Sequence, residues 1–273
     1  MAALEIRRRE RVAGVDAHWR EAGAGEPLVV LHGLGASSFS WTAVMPALAR
    51  RYRVIAPDFP GFGRSDSPRE FDYSLKGLSR WVVALLDHLG LPSAHVAGNS
   101  LGGIVALMTA MDEPARVRRV ALLGTPTHPG DGPLLLLPLR WPVVGRLYEL
   151  ALGPVAVRYI GRTAYKDPSL MTDEKVEEYA LPLRTAAGRW AAAEVLRRAV
   201  PADARERVER YRQLPHEFLV ICGESDTVAG LESSRRFCEK APRARLLELR
   251  DCAHVPQEER PEQVAAAFEE FFQ

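Results

Sequence analysis

The chain has 273 residues, 47% of them hydrophobic and 26% charged, so it can bury one large core with room for an insertion. Thirty-six Lys and Arg nearly cancel 35 Asp and Glu, so no overall field recruits nucleic acid or an anionic membrane, and a small neutral substrate fits better. Residues 1–11 lack the apolar centre of a signal peptide and no apolar run is long enough to span a bilayer, so the expected location is the cytoplasm. Cys222, Cys238 and Cys252 are too few and too far apart for a disulfide framework or a zinc cluster and read as free thiols, Cys222 and Cys252 in packing roles.

In chain order, Leu4 to Val12 and Val15 to Glu21 are strand-like runs broken at Ala13-Gly14, which predicts a hairpin. Pro27 to Leu31 and Val54 to Ala56 are short apolar runs of the kind that form buried parallel strands. The first ends in His32-Gly33-Leu34-Gly35 and the second in Pro57-Asp58-Phe59-Pro60-Gly61. Trp41 to Arg51 has helical spacing, and so does Leu75 to Leu89, whose apolar residues recur at 78, 82, 85, 86 and 89. His95-Val96-Ala97 is the next strand-like run, followed by the helix-like Gly103 to Met108 and the strand-like Val117 to Leu123.

Strand and helix resume with His216 to Cys222, Leu231 to Cys238, Ala244 to Leu249 and Gln263 to Phe272. Such alternation implies an α/β fold, a parallel sheet with helices on both faces. Between the two stretches the texture changes. Prolines at 126, 129, 133, 138, 142 and 154 interrupt a segment containing Leu134 to Leu137 and Trp141, and Thr172 to Arg212 is charged with a helical period. We read 1–125 and 214–273 as the core and 126–213 as a helical cap over the C-terminal edge of the sheet, where open α/β folds bind ligands. The leucines suggest an apolar pocket wall, although leucines also serve ordinary packing.

The chemistry centres on Gly98-Asn99-Ser100-Leu101-Gly102, a G-x-S-x-G between strand and helix. A serine on such a sharp turn is presented as a nucleophile, and the flanking glycines allow the chain to close up around it. A hydroxyl needs a base, itself oriented by a third group. His254 follows the strand Ala244 to Leu249 by a four-residue loop and precedes the last helix, which suits a base swinging over the serine. His32 also ends a strand, but Gly33 follows at once and points to a backbone role; the other five histidines read as surface or packing residues. Asp226, in the loop Gly223-Glu224-Ser225-Asp226 after a strand, is the expected orienting carboxylate, with Glu224 and Asp251 as alternatives. The order Ser100, Asp226, His254 is that of acyl-transfer enzymes with a nucleophile elbow. Backbone N–H groups of Leu101 and Leu34 are the expected oxyanion donors. Val228 and Val255, close behind the triad members, are expected to line an apolar acyl pocket.

These segments, together with Asp58 to Ser65 and Cys252-Ala253-His254-Val255-Pro256-Gln257-Glu258, resemble the α/β-hydrolase superfamily over nearly the whole chain. The resemblance implies a mostly parallel eight-stranded sheet, a cap inserted after strand 6, and hydrolysis of a small-molecule ester by a monomer or homodimer with no cofactor and no metal. It marks the Asp58 to Ser65 loop as structural. Serine at the elbow excludes the haloalkane dehalogenases and epoxide hydrolases, which carry aspartate there. The carbon-carbon bond hydrolases of aromatic degradation share a Gly-Asn-Ser-x-Gly-Gly elbow, but typically place tryptophan after the histidine, where this chain has Val255. That departure favours a carboxylesterase or lipase-like activity over carbon-carbon cleavage. Lactonase or acyltransferase chemistry, or a ligand receptor with a retained triad, are the other readings.

Overall fold

The computed structural model describes residues 5–131, 149, 153–199 and 203–273. It opens with the expected hairpin, β1 (Ile6–Val12) and β2 (Val15–Ala22), in which Val12 pairs with Val15 across a two-residue turn. Ala13 and Gly14 both have positive φ, 46° and 86°, the conformation whose twist matches that of the two strands. Next come β3 (Glu26–Leu31), β4 (Tyr52–Pro57), β5 (Ala94–Asn99), β6 (Val117–Leu123), β7 (Phe218–Gly223) and β8 (Ala244–Leu249). One eight-stranded sheet results, in the order β1-β2-β4-β3-β5-β6-β7-β8, antiparallel at the β1-β2 and β2-β4 pairings and parallel elsewhere.

The period of two along the strands sorts their side chains into two cores. Val29, Leu31, Val96, Leu122 and Val220 face the side covered by α2 (Leu75–His88) and α3 (Leu101–Asp112). Leu28, Val30, Ala97, Leu123 and Ile221 face the other side, where α10 (Pro261–Phe271) contributes Val264, Phe268 and Phe271. Helix α2 buries the expected stripe, Leu78, Val82, Leu85 and Leu86, and Ser74 caps it by accepting the Gly77 N–H.

One expectation needs correcting. Trp41 to Arg51 is not a continuous helix but a single 3-10 turn, Ser38–Trp41, followed by the one-turn helix α1 (Met45–Leu48). Pro46 has no N–H to continue a helix arriving from upstream, so it tolerates only a first turn.

Between β6 and β7 the chain forms α4 (Pro154–Arg162), α5 (Asp173–Ala180), α6 (Ala186–Arg197) and α7 (Ala204–Arg210). Thr172 and Thr185 cap α5 and α6, accepting the N–H groups of Lys175 and Gly188. The helical period of 172–212 therefore corresponds to three separate helices, whereas Leu134 to Leu137 and Trp141 lie outside the described residues. The remaining helices are α8 (Leu231–Lys240) and the short α9 (Pro256–Glu259), which begins two residues after His254.

Candidate active site

Ser100 stands at the junction of β5 and α3 with φ 52° and ψ −115°, a positive φ that only packing on all sides sustains in a non-glycine residue. The neighbouring glycines make that packing possible. A Cβ on Gly98 would lie 2.2 Å from the Gly102 carbonyl carbon, and one on Gly102 would lie 2.3 Å from the Leu31 carbonyl oxygen at the end of β3. The Ser100 N–H donates to the Leu123 carbonyl at 2.9 Å, which ties the elbow to β6 as well.

Asp226 and His254 are in contact. Nδ1 of His254 lies 3.0 Å from Asp226 Oδ2 and 3.2 Å from Oδ1, and both residues are buried. Asp226 Oδ1 also accepts the N–H groups of Val228 and Ala229 at 2.8 and 3.0 Å. Burial alone would raise this carboxyl, but the hydrogen bond to His254, the charge on that ring and the two backbone donors together hold it below the ordinary carboxylate range. An ionised Asp226 accepts a hydrogen bond from Nδ1–H, the tautomer in which Nε2 of the same ring carries the lone pair. Gly124, at φ 49°, sits directly against the pair: a Cβ there would be 2.7 Å from the His254 carbonyl oxygen and 3.0 Å from Asp226 Oδ2.

Among the described residues no hydrogen bond joins Ser100 Oγ to His254; the link between them is Asn99. Its buried Nδ2 donates to the carbonyls of Leu123 at 3.1 Å and His254 at 2.9 Å, fastening the histidine loop to the elbow. Leu101 is the chain neighbour of Ser100, and Gly33, which precedes Leu34, lies against the elbow, where a Cβ on it would approach the Ser100 Cβ to 3.5 Å. Among the described residues neither the Leu34 nor the Leu101 N–H donates to another part of the chain. Val255 is buried in an apolar cluster with Tyr165, Met171, Val176 and Tyr179 of the insertion, whereas Val228 is half-buried and supplies a backbone donor to Asp226.

The weighed alternatives fall elsewhere. Glu224 is exposed and accepts the N–H of Asp251, itself exposed, so neither orients His254. His32 is fully buried, with Nε2 accepting the Phe59 N–H at 3.0 Å and Nδ1 bonded to the Gly33 carbonyl. Burial keeps its ring neutral, below the ordinary histidine range. Asp58 is likewise internal, accepting from His18 Nδ1, Ser38 N and Arg64 N. All three cysteines are free thiols, and burial pushes Cys222 up to about 11, so it stays protonated and unreactive.

Residues 26–261 match the family model described as alpha/beta hydrolase fold. The chain belongs to the α/β-hydrolase fold family. A 2-hydroxymuconate semialdehyde hydrolase of Pseudomonas sp. (strain CF600) is 33% identical over 98% of this chain and 94% of its own length. A pimeloyl-[acyl-carrier protein] methyl ester esterase of Aeromonas hydrophila is 30% identical over 91% of this chain and 96% of its own. Among solved structures, a meta-cleavage product hydrolase from Pseudomonas fluorescens superposes with a TM-score of 0.82 at 28% identity, covering 97% of each chain.

Two supports of the site escaped the sequence reading. Asn99 was legible only as the variable residue of the elbow. The carbonyl of Ala164, which accepts the His254 N–H at 2.9 Å, carries no sequence signal, because any residue can supply a carbonyl.

Proposed function

We propose that this α/β hydrolase is a cytoplasmic serine esterase that cleaves small to medium, largely apolar carboxylic esters through an acyl-enzyme. The observation that carries the reading is the buried Asp226–His254 pair fastened by Asn99 to the strained Ser100 elbow. Ser100 Oγ attacks the ester carbonyl as His254 Nε2 takes its proton; the C–O bond to the alcohol then breaks, and His254 returns the proton to the leaving oxygen. Water repeats the sequence on the acyl-enzyme and restores Ser100. The N–H groups of Leu34 and Leu101 hold the oxyanion in both halves, a role backbone donors fill without reorganising.

Residues 126–213 act as a cap in this reading, with 1–125 and 214–273 as the core. Support comes from Tyr165 and Tyr179, which bury Val255 from above, and from Glu178 in α5, which reaches Arg64 at 2.5 Å. An apolar residue after the base, Val255, and the pairing of Lys175 with Glu258 at 2.7 Å, which leaves that cation already neutralised, favour an uncharged acyl group. The methyl ester esterase among the relatives and the free thiols, suited to a reducing compartment, agree with it.

A second reading, carbon-carbon bond hydrolysis of a vinylogous diketone, is favoured by the similarity to the semialdehyde and meta-cleavage hydrolases. Initial rates on p-nitrophenyl esters of increasing chain length, beside a 2-hydroxy-6-oxo-dienoate followed by its absorbance, separate the two. Turnover of esters with kcat/KM well above that for the dienoate is expected, and the reverse ranking would replace the first reading with the second.

A further inference from the structure

Resting on the assignment of His254 as base, a buried polar cluster outside the triad bears on how that base is held. Glu258 is a carboxylate whose side chain is 4% exposed. Among the described residues its three side-chain partners all come from the cap. Oε2 accepts from the Tyr165 hydroxyl at 2.8 Å and from Lys175 Nζ at 2.7 Å, and Oε1 accepts from the Tyr179 hydroxyl at 2.9 Å. Burial and the adjacent carboxylate push both phenols well up, so they remain protonated donors.

The segment that Tyr165 belongs to lies along the histidine loop at three consecutive positions. The Ala164 carbonyl accepts the His254 N–H at 2.9 Å; Tyr165 reaches Glu258; and the Lys166 N–H donates to Glu259 Oε2 at 2.8 Å, while Glu259 Oε1 accepts the Ala253 N–H at 2.9 Å. The backbone of His254 is thus gripped from two sides: its N–H by the cap and its carbonyl by Asn99 at the elbow. A carboxylate this deeply buried is tolerated only when paired and hydrogen-bonded, and without the cap Glu258 would lose every one of these side-chain partners.

We propose that Glu258 is a positioning residue for His254: by drawing Tyr165, Tyr179 and Lys175 onto the start of α9, it seats the Ala164 carbonyl on the His254 amide and makes cap docking and base placement one event. The cap in this enzyme is then part of the support of the base as well as a cover over the substrate. Glu258 touches no reacting atom, so its removal should slow chemistry and leave binding of a small ester nearly as before.

The test compares the full-length wild type with Glu258→Gln and Tyr165→Phe, using p-nitrophenyl acetate for kcat and KM and a fluorophosphonate to count and time reactive Ser100. Glu258→Gln removes the charge opposite the partly buried Lys175 while keeping the side chain's shape. Per reactive serine, kcat and the inactivation rate should both fall about tenfold, with KM within about twofold of wild type. Tyr165→Phe should lower both by about threefold, and it carries the same readouts if Glu258→Gln does not fold. Unchanged kcat per reactive serine, with only the melting temperature lowered, would overturn the proposal and leave Glu258 a structural residue. A wild type that does not react with the fluorophosphonate at Ser100 would overturn the reading of the site itself, and the proposal with it.

Discussion

Around Ser100 the chain is held by its backbone, whereas around Glu258 it is held by side chains. At the elbow, β3, β5, β6 and α3 approach so closely that Gly98 and Gly102 have no space for a methyl group, and Ser100 keeps a positive φ because every alternative is blocked. Where the inserted helices meet the sheet-bearing part of the chain, Tyr165, Tyr179, Lys175, Arg64 and Glu178 make the contacts with hydroxyls and charges. Close backbone contacts leave Ser100 a single position, since a shift of even a few tenths of an ångström meets hard repulsion. Side-chain bonds can break and reform, so the second region is held less rigidly than the first.

The strongest way to break this contrast is Ser100→Gly. Glycine adopts positive φ without strain, so hydrolysis should fall by about a thousandfold or more while unfolding free energy rises by about 1 kcal/mol, read by ester assay and urea denaturation. A loss of stability in that variant would mean that the elbow is not strained. Next in size, Gly98→Ala forces a Cβ into the Gly102 backbone and should cost about 3 kcal/mol, since neither neighbour is a movable side chain. If its urea midpoint matched wild type, the elbow would be looser than its contacts imply.

A smaller effect comes from His32 beneath the same region. Its folded ring titrates below the ordinary 6.5, so below that pH the unfolded chain binds the extra proton first. Stability therefore rises with pH in this window and declines as pH falls from 6.5 toward the lowered folded value. His32→Asn should flatten that slope, measured as urea midpoints at several pH values, and an unaltered slope would assign it to other groups. Smallest of all is Arg64→Ala on the cap side, where Arg64 and Glu178 are both partly exposed. Unfolding free energy should change by less than about 1 kcal/mol. A drop as large as that of Gly98→Ala would erase the distinction between the two regions.

Much of the candidate site was legible because each of its three residues follows a strand, where a run of apolar residues stops and a glycine or acidic turn begins. Ser100, Asp226 and His254 could be ordered along the chain on that basis, and Asp226 could be preferred to Glu224 and Asp251. The misread stretch, Trp41 to Arg51, shows the limit of periodicity: the apolar spacing is real, and Trp41, Met45 and Leu48 do enter one core, but Pro46 allows only a short turn around them. The contacts of Glu258 were illegible for another reason, since its tyrosine partners stand 93 and 79 residues away in an insertion whose charged face looks like any solvated helix.

By itself the sequence determined the order of the strands and most of the helices and pointed to Ser100, Asp226 and His254 as candidates, because period, glycine placement and strand ends are local properties. Only the tertiary structure decided that Asn99 ties Ser100 to the histidine loop, that His32 and Asp58 are internal, and that Tyr165 and Tyr179 meet Glu258 while the Ala164 carbonyl accepts the His254 N–H. Those outcomes depend on which distant donors and acceptors are buried together, and a buried polar group must find a partner wherever the fold brings one within reach.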